Sequence, residues 1–77
     1  MAHARVHLTF PADMLSEPTI YRIHAEFGVV PNIRRANIEE HAGWMIVDLQ
    51  GEPDDVERCV AWLETGGVQV QRLESGA

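Results

Sequence analysis

The hydrophobic period of this chain switches between two and 3.6 in a fixed order, and that order limits its possible folds more than any single residue does. Arg5 to Phe10 alternate strictly. Val6, Leu8 and Phe10 fall on one side, His7 and Thr9 on the other, as a half-buried strand requires. Pro11 stops it. Ser16-Glu17-Pro18 then reads as a helix start: a capping hydroxyl, an early acid and a first-turn proline. Ile20, Ile23 and Phe27 follow at i, i+3 and i+7 as one apolar stripe. Gly28 stands where a C-terminal glycine cap belongs.

Val29-Val30-Pro31-Asn32-Ile33 opens the next element, and residues 33 to 40 read as a strand. Ile33 and Ile38 lie five apart, so they share a face only if a bulge inserts one residue. His41-Ala42-Gly43 is a short turn, which makes a hairpin with a third strand, Trp44 to Leu49. Polar Asp48 is expected to face away from the core, which directs Met45, Val47 and Leu49 inward and Trp44 and Ile46 outward. Gly51-Glu52-Pro53-Asp54-Asp55 is a second helix start, its acids favoured by the helix dipole. Val56, Cys59, Val60 and Leu63 form the stripe of that helix, and Gly66-Gly67 ends it. Val68 and Val70 alternate with Gln69 and Gln71 in a last strand, and the tail from Glu74 is expected to fray.

The order is therefore βαββαβ within one domain spanning residues 1–77, with a core at about 5–73 and no linker or repeat. Short connections and right-handed crossovers leave one common α+β solution. It is a ferredoxin-like sandwich: a four-stranded antiparallel sheet, order 4-1-3-2, with both helices on one face.

Such a sheet has an uncovered face, which should be polar where it meets water. Trp44 and Ile46 are expected there, an apolar pair that a solvated face does not require. A chain of 77 residues also buries only about 60% of the surface its unfolded form exposes. Both points lead us to expect a homodimer, formed face to face or edge to edge between strands.

Charge and composition exclude several classes. Six arginines against twelve acids give a net charge of -6, unsuited to non-specific nucleic-acid binding. No apolar run approaches the roughly 18 residues that span a membrane. Nor does the start carry a signal-peptide block, so the expected location is the cytoplasm. One cysteine, Cys59, leaves no internal disulfide and no Cys-based zinc site.

No catalytic constellation, metal site or cofactor motif emerges. His3 and His7 are separated by roughly 13 Å of strand. His24 lies beside a helix stripe and His41 in a turn. Cys59 sits on an apolar stripe, where cysteine acts as a small hydrophobe. Glu39 and Glu40 are strand neighbours on opposite faces, and Asp54-Asp55 belong to the helix start. Arg34-Arg35, the one basic doublet, reads as a solvated strand surface. Asn32 reads from composition as a turn former.

The runs RVHLTFP, FGVVPNI, RRANIEEHAGWMIVDLQG and AWLETGGVQVQRL, in this order and spacing, resemble the NIL domain, named for an Asn-Ile-Leu stretch opening its second strand. Asn32 and Ile33 match that stretch, while Arg34 replaces its leucine. The resemblance implies a ferredoxin-like fold similar to amino-acid-sensing ACT domains. NIL domains end the ATPase subunit of methionine ABC importers, where they pair across a dimer and bind methionine to inhibit transport. They also occur fused to ferredoxin modules tied to sulfur amino-acid synthesis. By position, Asn32 with Ile33 would contact the ligand at the subunit interface, and Met45 matches another nearby position. With no ATPase segment or iron-sulfur cysteine set, the expected protein is a free-standing version that senses methionine or a related sulfur amino acid. The alternative is a non-catalytic accessory subunit docking on a sulfur-metabolism enzyme or ferredoxin-type partner.

Overall fold

A computed structural model describes residues 1–11, 18–40 and 42–73. The elements follow the order β1 (Ala2–Phe10), α1 (Thr19–Phe27), β2 (Val30–Ile38), β3 (Gly43–Gly51), α2 (Pro53–Thr65) and β4 (Gln69–Leu73). The strands form one sheet in the order β2-β3-β1-β4, with antiparallel neighbours throughout. This is the expected 4-1-3-2 arrangement read from its other edge.

Local chemistry sets most boundaries. Gly28 takes φ 68° and caps α1, its N–H donating to the His24 carbonyl at 2.9 Å. α2 begins at Pro53, with Asp54 and Asp55 in its first turn. α1 starts at Thr19 with Pro18 as its cap and no side-chain capping bond. The expected cap Ser16 and the acid Glu17 lie outside the described residues, as do His41 and the tail from Glu74.

All four strands differ from their sequence-based bounds: β3 runs from Gly43 to Gly51 and not from 44 to 49, and β4 begins at Gln69 and leaves Val68 in the connection. β1 begins at Ala2, because pairing with Gly51 through Leu49 extends its ladder. β2 runs from Val30 to Ile38 and not from 33 to 40: Val30 and Pro31 already pair with Gln50 and Leu49. Proline is tolerated there because β2 is an outer strand. At the other end, the Glu39 N–H turns away to donate to the Ala42 carbonyl at 2.7 Å and closes the hairpin.

The bulge required by the Ile33–Ile38 spacing is present. Ile33 pairs with Val47 and Arg35 with Ile46, so Arg34 is the extra residue. Beyond it the phase of β2 is reset. Ala36 pairs with Met45 and Ile38 with Gly43, which returns Ile38 to the face that holds Ile33.

The core lies between the sheet and the helices. Val6, Leu8 and Phe10 of β1, Val47 and Leu49 of β3, Ile23 of α1, and Val56, Cys59, Val60 and Leu63 of α2 are all buried. Val29 and Val68 complete it from the connections. The helices are also clasped to each other. Phe27 and Trp62 meet at 5.5 Å between ring centroids, and the Arg22 guanidinium lies 4.8 Å over the Trp62 ring. β2 is left out of this core, exposed everywhere except at half-buried Pro31.

Leu49 is fully buried, so Leu49→Ala is expected to cost about 2–5 kcal/mol. Urea unfolding followed by circular dichroism measures it. Gly28→Ala meets open space, so its expected cost of about 1–2 kcal/mol is backbone strain alone.

Candidate functional site

Strand alternation sorts the sheet residues between two faces. The face away from the helices carries Arg5, His7 and Thr9 of β1, Trp44, Ile46 and Asp48 of β3, and Gln69, Gln71 and Leu73 of β4. β2 adds Val30 and Asn32 before the bulge, and Arg35 and Asn37 after it.

Asp48 anchors the polar half of this face. Arg5 grips it through two bonds, Nε to Oδ1 at 2.7 Å and a terminal nitrogen to Oδ2 at 3.2 Å. The bulge residue Arg34 approaches the same carboxylate, its Nε 3.6 Å from Oδ2. The Arg5 bond, aided by the charges of Arg5, Arg34 and His3 against a smaller burial cost, holds the Asp48 carboxyl below its usual range. The same contact raises the affinity of Arg5 for its proton.

Beside this pair the face is hollowed. Arg5, Arg34, Arg35, Ile46 and Leu73 line an open concavity of about 420 Å³. Arg35 has no carboxylate partner among the described residues. Towards the hairpin, Trp44 stacks on His7, their ring centroids 5.3 Å apart and their planes 17° from parallel. Both Trp44 and Ile46 are outward-facing and half-buried.

The residues singled out in the sequence do not all converge. Asn32 is exposed on the uncovered face, opposite Asp48. Ile33 lies on the helix side, opposite Val47, yet remains 46% exposed. Met45 also faces the helix side and packs against the core. The side chains of Asn32 and Met45 are therefore on opposite faces of the sheet within one subunit.

Sequence reasoning missed the Arg5–Asp48–Arg34 contact and the hollow. In the sequence Arg34-Arg35 reads only as a solvated strand surface. The Ile33–Ile38 spacing signalled the bulge that makes both line one cavity, but did not say which residue would be extra.

Cys59 is buried, and desolvation pushes its thiol up to about 11. At neutral pH it is protonated and enclosed, the opposite of an activated nucleophile. Among the described residues no three His, Cys, Asp or Glu side chains are grouped to hold a metal ion.

A carboxyl depressed by folding stabilises above its unfolded value, about 3.9, and that contribution is lost as pH falls through the folded value. The stability gap between the parent and Asp48→Asn should therefore be full at neutral pH and close in acid below about pH 4. Denaturation midpoints across pH check this. A thiol reagent should label Cys59 only as fast as the protein unfolds, with a steep rise in urea.

Known proteins place this arrangement in context. The NIL domain family profile matches residues 4–72. The chain is 31% identical over 70 residues to methionine import ATP-binding protein MetN 1 of Bacillus cereus, covering 86% of this chain and 20% of that protein. It is 29% identical over 73 residues to methionine import ATP-binding protein MetN 1 of Listeria innocua, covering 90% of this chain and 22% of that protein. The chain thus spans about a fifth of the length of these relatives. Among solved structures, the C-terminal domain of an ABC transporter / ATP-binding protein from Enterococcus faecalis superposes with a TM-score of 0.82. That match has 24% identity and covers 94% of this chain and 84% of that one, a likeness of fold. With the family profile spanning nearly the whole βαββαβ unit, the chain belongs to the NIL domain family.

Proposed function

We propose that this domain is a non-catalytic regulatory module that senses methionine, or a related sulfur amino acid, at an interface between two copies. The observation that carries the reading is the state of β2. It is an outer strand nine residues long, with Val30, Ile33 and Ile38 each about half exposed (50%, 46% and 51%). Long edge strands with apolar side chains are templates for pairing, and proteins that keep them monomeric blunt them. Pro31 and the bulge interrupt this edge without removing its apolar residues.

Pairing through β2 would bury Ile33 and Ile38 against their copies. It would also bring Asn32 to the junction, where its amide offers both a donor and an acceptor to an α-amino acid. Met45, displaced to the helix side, would reach that junction only by way of the partner copy or through its backbone. Trp44 and Ile46 would border the interface from the adjacent strand. The names of the relatives, methionine import ATP-binding proteins, motivate the choice of ligand.

Sedimentation equilibrium is expected to show a dimer, and Ile38→Lys, at an exposed position, to shift it towards monomer while the fold persists. In calorimetry methionine should give saturable heat, and Asn32→Ala should weaken binding by about tenfold or more. Absence of heat at millimolar methionine in a dimeric protein would overturn the ligand. A monomer with or without methionine would overturn the interface.

A further inference from the structure

The charges of this chain are sorted by layer in a way its net charge conceals. The helical layer carries Glu26, Asp54, Asp55, Glu57 and Glu64, with Glu52 at the α2 cap, against two arginines, Arg22 and Arg58. The uncovered face carries Arg5, Arg34 and Arg35 around one carboxylate, Asp48. A protein of net charge -6 thus gathers three of its six basic side chains around one hollow.

We propose that this hollow binds a small organic dianion: a doubly charged oxyanion head, either a phosphate or paired carboxylates, on a short apolar stem. Among the described residues, three guanidinium groups stand against one carboxylate at the site, an excess of two positive charges. A zwitterionic amino acid brings no net charge and a monoanion brings half of what is missing. A dianion neutralises it.

The geometry fits that class. Asp48 fixes Arg5 by a two-point contact and draws in Arg34, so those side chains are partly ordered before a ligand arrives, which lowers the entropy lost on binding. Arg35 makes no ion pair with any described residue, and its planar fork is suited to two oxygens of one anion. Ile46 and Leu73 supply an apolar surface for the stem. At about 420 Å³ the space is within the usual range for small-molecule sites, about 300–1,000 Å³. The bulge is the device that makes this possible: without an extra residue at Arg34, two adjacent arginines on a strand would point to opposite faces.

This inference stands apart from the amino-acid reading, and its test contains no methionine. Two-dimensional amide NMR would follow the full chain titrated at constant ionic strength with inorganic phosphate, succinate, acetate and a hexaglutamate peptide. Saturable shifts in Arg5, Arg34, Arg35, Ile46 and Leu73 with phosphate or succinate are expected, the stronger of the two identifying the head group. Acetate should bind about tenfold more weakly or worse. Arg35→Gln, at an exposed position with no ion pair to any described residue, should keep the fold and lose about tenfold in affinity or more. Arg58→Gln on α2, far from the hollow's lining, should keep the response. Equal shifts with acetate, or an unchanged response in Arg35→Gln, would overturn the proposal. So would saturation by hexaglutamate alone, which would give this face to an acidic polypeptide.

Discussion

The rest of this domain depends on the packing of α1 and α2 over β1 and β3. Fully buried Val6, Leu8, Val47 and Leu49 from the strands meet Ile23, Cys59 and Leu63 from the helices. At about 25 cal/mol per Å² of apolar surface removed from water, this contact is what offsets the entropy of ordering so short a chain. The Phe27–Trp62 clasp, with Arg22 over the indole, holds the two helices together at one side of the same core.

Burial is less complete at the sheet margin. β2 is joined to the fold by its ladder with β3 and by little burial of its own side chains. Its helix-facing isoleucines stay exposed, and its opposite side carries Asn32 and Arg35. The strand that contributes least to the core is thus the one that presents the most chemistry. That division is physically reasonable, because a residue whose side chain fills the core is not available to a ligand or a second copy.

The bulge at Arg34 links the edge to the uncovered face. It restores Ile38 to the side of Ile33 and brings Arg34 and Arg35 together above Ile46. Electrostatics then hold part of the arrangement in place: Asp48 is shared between Arg5 from β1 and Arg34 from β2, a contact that crosses three adjacent strands. Since these side chains remain between a fifth and a half exposed, the contact positions groups more than it stabilises the fold.

Much of the fold was legible in the sequence because periodicity is a local property. Alternation at Val6, Leu8 and Phe10 and the stripe of Val56, Cys59, Val60 and Leu63 name both the elements and the faces they bury. The inward phase of Val47 and Leu49 and the outward phase of Trp44 and Ile46 followed from the single polar residue between them, Asp48. The family was legible too, from the order of short runs along the whole chain. Other features needed distances between residues far apart in sequence. Arg5 and Asp48 are 43 positions apart, and only antiparallel register brings them into contact. The Ile33–Ile38 spacing demanded an extra residue, but the ladder with β3 decided that it was Arg34. Exposure of β2 is likewise a result of where the helices settle, which no pattern within residues 30–38 encodes. The sequence by itself determined which residues face the core, because burial follows local period. The tertiary structure decided which charges meet and which edge stays open, because both depend on strand pairing across the sheet.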